Sequence, residues 1–194
     1  MTTTYPPPET SAPTPDTRWR TRDIVVAAVI GVAFGVFFVV AGGAWKATEA
    51  LGPIQNVFYG VWLLPAIVAP LIIRKPGAAL FAELVAAGLS AILGSAWGPD
   101  TLLSGFVQGA AAELVFAFTL YRVWSFPVLA AAGLASAAAA FVHDVVLWYA
   151  GYAADVLVII AVTMAISGAI LLPLVALALV RALRGTGVLD GFAT

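Results

Sequence analysis

Two glutamates interrupt apolar stretches of this 194-residue sequence, in which only 10% of the residues are charged. Glu83 lies in RKPGAALFAELVAAG, and Glu113 lies in QGAAAELVFA. An ionisable side chain in the middle of a hydrophobic helix is costly, so it normally faces a partner or a cavity. We therefore predict that both carboxylates line a binding cavity, with hydrogen bonding between neighbouring helices as the structural alternative.

Further polar side chains fall in segments of the same kind. FVHDVVLW carries the only histidine, His143, next to Asp144; Asp144 shares a helix face with Trp148, while His143 points about 100° away. One histidine without any cysteine is a poor ligand set for a transition metal, so no metal site is expected. Acids accompanied by aromatic rings suit an organic cation instead. The remaining candidates for this binding site are Gln108, Trp97, Tyr59 and Asn56.

The elements that would carry these residues are membrane-spanning helices. A mean hydropathy of +1.04 with 62% hydrophobic residues excludes an ordinary soluble domain. Six apolar stretches reach the roughly 20 residues that cross a bilayer: 24–45, 54–73, 76–94, 102–121, 126–149 and 155–181. The predicted fold is all-α, a multi-pass membrane protein with six transmembrane helices. Residues 18–194 are expected to form a single membrane domain, and the Pro/Thr-rich residues 1–17 a disordered cytosolic tail.

Basic residues predict the orientation of this domain. Lys46 lies on one side of the predicted membrane, and the other eight of the nine basic residues lie on the opposite side. The positive-inside rule then places both termini in the cytoplasm. A rise of 1.5 Å per residue puts Glu83 and Glu113 at equal depth, about 16 Å from the outer helix ends, so we expect them to share one cavity. An aromatic outer mouth is favoured by four tryptophans that lie toward that side, Trp45, Trp62, Trp97 and Trp148.

The first predicted span carries small residues at intervals of four. Ala27, Gly31 and Gly35 form a ridge that allows close helix approach, which we call the small-residue ridge. It would serve either internal packing or the docking of a partner membrane protein. The sequence contains no GxxxxGK[ST] pattern, so a P-loop for ATP is excluded.

Two further classes of function stay open from the residues alone. An intramembrane hydrolase would use His143 and Asp144 with a serine such as Ser104 or Ser167, although neither GxSxG nor HExxH is present. A structural or assembly protein without a ligand is the other class. Both compete with a binding protein for a small organic cation.

Four segments resemble the substrate-binding S components of energy-coupling factor (ECF) transporters: RDIVVAAVIGVAFGVFF, IIRKPGAALFAELVAAGLSAILGSAWG, TLLSGFVQGAAAELVFAF and RGTGVLDGF. They are most similar to the YkoE-type subgroup, which is linked to thiamine and its hydroxymethylpyrimidine precursor. The resemblance covers roughly residues 20–193. It implies six helices, cytoplasmic termini and an extracellular-side vitamin pocket in a multi-pass protein of the plasma membrane, with another small cationic or heterocyclic ligand as the alternative.

The same resemblance implies the partners. An S component is a binding subunit, not an enzyme, and needs no cofactor of its own. Its partners would be the lipid bilayer, a transmembrane coupling (T) subunit and two cytosolic ATPase subunits, with no role for nucleic acid. In this family the ridge of the first helix contacts the coupling subunit, which implies docking through Ala27, Gly31 and Gly35.

Overall fold

Helices account for the regular structure in residues 17–192, the part of the chain that the computed structural model describes. They are α1 (Thr21–Ala47), a 3₁₀ helix (Glu49–Leu63), α2 (Leu64–Ile73), α3 (Ala78–Ile92), α4 (Asp100–Phe118), α5 (Phe126–Leu147), α6 (Ala154–Ile166), a π turn (Ser167–Leu171) and α7 (Leu172–Gly185). The 3₁₀ helix runs directly into α2, and the π turn joins α6 to α7, so these elements make six rods. The predicted all-α membrane fold is confirmed. The predicted tail lies outside the described residues, apart from Thr17.

Five of the six rods are long and apolar enough to cross a membrane, and α3 is the short one. It has 15 residues, about 22 Å, whereas the sequence suggested a span over 76–94. Glycines in the left-handed region bound it, Gly77 with φ 87° before its start and Gly94 with φ 91° after its end. Glycine adopts this conformation without the steric cost of a Cβ atom. Gly77 therefore delays the start of α3, and Gly94 ends it before the predicted limit.

The second rod changes its helix type near its middle. Residues 49–63 wind as a 3₁₀ helix, interrupted at Gly52 with φ 58°, and the chain becomes α-helical at Leu64. Pro65 lies in the first turn of α2, where its missing N–H costs no hydrogen bond. All ten residues of α2 are buried, so this helix is the centre of the bundle.

The small-residue ridge lies against α3. Ala27 is 0% exposed, and Gly31 and Gly35 are also buried. A Cβ built on Gly31 would lie 2.6 Å from the Val85 Cβ, which leaves no room for a larger residue. The ridge therefore packs inside the protein. The expectation that it docks a partner is corrected, because α3 covers the surface that docking would need.

Polar contacts fasten the start of α1 to the loop between α2 and α3. The Lys75 ammonium lies 2.6 Å from the Asp23 carboxylate and also donates to the Arg18 carbonyl. The Trp19 indole donates to the Pro76 carbonyl at 2.8 Å. We call this end of the bundle the basic end, and the opposite end the cavity end.

Candidate ligand-binding cavity

A cavity of about 380 Å³ lies between the helices at the cavity end. Its walls come from α1, the 3₁₀ helix, α3, α4, α5, the loop between α3 and α4, and the loop that follows α5. None of the described residues that line it is a lysine or an arginine. Its acidic residues are Glu49, Glu83, Asp100 and Asp144, and its four tryptophans are Trp45, Trp62, Trp97 and Trp148.

Three of the tryptophans pack on one another along one wall. The ring centroids of Trp45 and Trp62 lie 6.1 Å apart, and those of Trp62 and Trp97 lie 5.6 Å apart. Tyr59 meets Trp45 edge to face at 6.2 Å. Such contacts hold aromatic rings in fixed orientations, so this wall is a preformed surface for a flat ring. The four tryptophans that the sequence placed toward one side do meet at one cavity.

Glu83 reaches the floor of the cavity from α3 and is 1% exposed. Its Oε2 accepts a hydrogen bond of 3.1 Å from the Ala66 N–H, one of the first-turn N–H groups that α2 cannot satisfy itself. Its Oε1 is buried without a hydrogen-bond partner. A Cβ on Gly109 of α4 would lie only 2.9 Å from the Glu83 Cβ, so glycine is what lets α4 pack this closely. Glu83 therefore lines the cavity with one carboxylate oxygen that has no hydrogen-bond partner.

Glu113 lies at the other end of the bundle and does not line the cavity. Its Oε1 accepts hydrogen bonds from the Gly77 N–H at 2.6 Å and the Tyr121 hydroxyl at 2.8 Å, and its Oε2 accepts from the Ala79 N–H at 2.9 Å. Burial, and then the hydrogen bond to this carboxylate, raise the pKa of Tyr121 above its ordinary value. The prediction that Glu83 and Glu113 share one cavity is wrong. Because α3 begins only at Ala78, the N–H groups of its first turn lie within hydrogen-bonding distance of Glu113, and they hold this carboxylate away from the cavity.

His143 and Asp144 contact each other although their Cα–Cβ directions diverge. The His143 Nδ1 lies 2.9 Å from the Asp144 Oδ1, and its Nε2 lies 3.1 Å from the Asp100 Oδ1. The Trp148 indole donates to the Asp100 Oδ2 at 2.8 Å. Asp144 and Trp148 line the cavity, while His143 stands behind them. Sequence reasoning missed Asp100 as a site residue, because an aspartate before a helix is commonly an N-cap.

The remaining predicted residues divide between the cavity and its support. Gln108 lines the cavity, donating to the Ser104 hydroxyl at 2.6 Å and to the Tyr59 hydroxyl at 3.4 Å. Asn56 is buried outside the lining and accepts from the Tyr149 hydroxyl at 3.4 Å. Tyr149 does line the cavity, and burial raises its pKa above the ordinary value of a tyrosine.

Within residues 17–192, no serine or threonine hydroxyl forms a hydrogen bond with the histidine. Ser104 accepts from Gln108, and the Ser167 hydroxyl accepts from the Gly60 N–H at 2.7 Å. Both ring nitrogens of His143 face carboxylates. A hydrolase of this kind needs the serine hydroxyl against the base, so the alternative of an intramembrane hydrolase is wrong.

Known proteins match both the sequence and this architecture. The family model described as "ABC-type cobalt transport system, permease component" matches residues 22–140. The "Putative HMP/thiamine permease protein YkoE" of Bacillus subtilis (strain 168) is 39% identical over 178 residues, which cover 90% of this chain and 89% of that protein. A structure described as "Crystal structure of an S-component of ECF transporter" matches with a TM-score of 0.86 and 38% identity, over 91% of each chain. The chain belongs to the S components of ECF transporters.

Membership confirms several predictions from the sequence. As an S component, the protein is a multi-pass membrane protein and a transport subunit rather than an enzyme. Its family implies a small-molecule ligand, a T subunit and ATPase partners. The cavity of this S component is the place where the described structure offers such a ligand both charge and aromatic surface.

Proposed function

We propose that this S component captures thiamine or its hydroxymethylpyrimidine precursor in the cavity between α3, α4 and α5. Both compounds carry an aminopyrimidine ring, and thiamine adds a permanently cationic thiazolium. Four carboxylates without a lysine or arginine among the described lining residues favour a cation. The tryptophans supply faces for stacking and for cation–π attraction. The name of the Bacillus subtilis relative supports the same ligand class.

The free Oε1 of Glu83 is the observation that carries this proposal. A buried acceptor without a partner costs about 1–3 kcal/mol, more for a charged group. An N–H group of the ligand would satisfy it, and the exocyclic amino group of an aminopyrimidine is such a donor. Because Oε2 is already held by Ala66, the free oxygen has a fixed direction.

Charge distribution supports capture from outside the cell. The basic end carries Arg22, Arg74 and Lys75, and the cavity lies at the opposite end. Under the positive-inside rule the basic end faces the cytoplasm, together with both termini. The T subunit and two cytosolic ATPases would then act from the basic end, while the ligand enters from the extracellular side.

Other cargo defines the alternatives. The description of the family model names cobalt, yet no group of three metal-ligating side chains suited to an ion occurs among residues 17–192. The aromatic wall also contributes nothing to a hydrated metal ion, which prefers nitrogen, oxygen and sulfur ligands. A different small cationic or heterocyclic compound would use the same carboxylates and rings.

Calorimetric titration of the detergent-purified protein tests the proposal, with mass spectrometry of any compound that co-purifies. We expect saturable binding of thiamine, hydroxymethylpyrimidine or both, and no comparable binding of Co²⁺. Glu83→Gln should weaken binding more than tenfold, which is about 1.4 kcal/mol, because the amide can keep its oxygen on Ala66 only by turning its NH₂ toward the ligand's donor.

Two results would contradict the proposal. The unmodified protein binding neither compound would remove thiamine and its precursor as ligands. Unchanged affinity in a folded Glu83→Gln variant would make Glu83 a helix-packing residue only. Retention of a different heterocycle in the mass spectrum would identify the alternative cargo directly.

A further inference from the structure

Asp100 joins the start of α4 to the end of α5 across the rim of the cavity. It is the first residue of α4, and the hydrogen bonds of its side chain within residues 17–192 go to another helix rather than to the N–H groups of α4. Instead, its two oxygens face the His143 Nε2 at 3.1 Å and the Trp148 indole N–H at 2.8 Å. A single carboxylate therefore contacts two side chains of the neighbouring helix.

Trp148 depends on this contact more than the other tryptophans of the cavity do. Trp45, Trp62 and Trp97 are held by ring contacts with one another. Trp148 is 48% exposed, follows the last residue of α5, and within residues 17–192 its side chain has the Asp100 hydrogen bond and no ring contact. Removing Asp100 would leave this indole free to change rotamer.

Asp144 is reached through His143. With one ring nitrogen on Asp100 and the other on Asp144, the imidazole has a single orientation. Loss of Asp100 would free the ring, and the Asp144 carboxylate, which also has a hydrogen bond with Tyr59, would lose the fixed orientation of its His143 partner.

We propose that Asp100 is a positioning residue of the binding site: it fixes the Trp148 indole directly and the Asp144 carboxylate through His143. As far as the ligand is concerned, this inference rests on the proposed function. Asp100 is not needed merely to hold α4 against α5, because these helices are also joined deeper in the bundle, where the Ser136 hydroxyl donates to the Gln108 carbonyl at 2.8 Å.

The first test needs no ligand. Protein labelled with ¹⁵N at tryptophan should give one indole N–H signal for each of its six tryptophans, and Trp148→Phe identifies the signal of Trp148. Asp100→Ala should shift that signal toward the position of an indole in water, and Asp100→Asn should shift it in the same direction. The matched control is Asp155→Ala, since Asp155 also lies in the first turn of a helix but is exposed and outside the cavity lining. An unmoved Trp148 signal in both Asp100 variants would overturn the proposal.

The second test measures thiamine affinity by calorimetry. Asp100→Ala should bind at least fivefold more weakly with a melting temperature close to that of the unmodified protein, whereas Asp155→Ala should stay within twofold. Because Asp100 acts through Trp148, the double variant Asp100→Ala with Trp148→Phe should lose less thiamine affinity than the product of the fold-losses of the two single variants. The positioning role would be refuted by a loss of affinity smaller than fivefold in Asp100→Ala, or by a loss in the double variant equal to the product of the two single losses. If the unmodified protein binds neither thiamine nor the pyrimidine, the proposed function fails and the indole signal alone decides this inference.

Discussion

Glu113→Gln replaces the carboxylate that holds the first turn of α3 from a neighbouring helix. Oε1 accepts from the Gly77 N–H and the Tyr121 hydroxyl, while Oε2 accepts from the Ala79 N–H at 2.9 Å and the Leu80 N–H at 3.4 Å. A glutamine oxygen can retain one of these pairs of donors. Its NH₂ would then face the other pair, donor against donor.

The size of the effect follows from these contacts. A hydrogen bond to a charged group contributes about 1.5–3 kcal/mol, and a negative charge at a helix start adds about 0.3–1 kcal/mol. The Ala79 and Leu80 pair counts as about one full hydrogen bond, because the Leu80 contact is long at 3.4 Å, so losing this pair and the charge should cost about 2–4 kcal/mol of stability. For a chain of this length, 1 kcal/mol shifts the melting temperature by about 2–4 °C, so we expect a decrease of about 5–15 °C.

The assay compares two variants of the α3–α4 pair, Glu113→Gln and Glu83→Gln. Thermal unfolding in detergent, followed by circular dichroism, gives the stability, and calorimetry with thiamine gives the affinity. Glu113→Gln should melt earlier and bind within threefold of the unmodified protein. Glu83→Gln should show the reverse, because its amide keeps the hydrogen bond to Ala66 and replaces only the oxygen that has no hydrogen-bond partner. A Glu113→Gln variant with unchanged melting and tenfold weaker binding would refute this division of roles.

Three further substitutions test the packing. Gly31→Ala should lower stability by about 1–3 kcal/mol by overpacking α1 against α3, whereas Gly43→Ala, in open space on the same helix, should change the melting temperature little. Asp23→Asn should cost about 3 kcal/mol in thermal unfolding because it leaves the largely buried Lys75 without its carboxylate, and adding Lys75→Met should recover part of that loss. Because the folded pKa of Tyr121 is raised, its stabilising contribution is complete below about pH 10 and is lost as the pH rises further, so the melting temperature should fall less steeply above pH 10 in Tyr121→Phe.

The number and order of the membrane rods were predictable, because the length of an apolar stretch reports directly on the thickness of a bilayer. The true length of α3 was not. Its limits depend on Gly77 and Gly94 adopting positive φ, and the sequence alone does not say which glycines do so. The 3₁₀ winding of residues 49–63 also escaped prediction, since its hydrophobic pattern is equally compatible with an α-helix.

Side chains that reach the cavity were predictable where their chemistry made them costly in a membrane. Glu83, Gln108 and Asp144 line the cavity, as the sequence suggested. Asp100 was missed because its partners lie on another helix, and no spacing within one segment encodes a contact between segments. The small-residue ridge shows the same limit, since a four-residue repeat predicts close approach without identifying the helix that approaches.

Both intramembrane glutamates accept N–H groups at the start of a short helix, but the number of donors separates their roles. Each oxygen of Glu113 accepts two hydrogen bonds, so its acceptors are occupied and nothing remains for a ligand. Glu83 uses one oxygen on Ala66 and keeps the other buried at the cavity without a partner. A buried acceptor left free weakens the folded protein unless something else satisfies it. The donor count, which becomes visible only once α2 and α3 are placed, therefore distinguishes the carboxylate proposed to hold a ligand from the one that holds the fold.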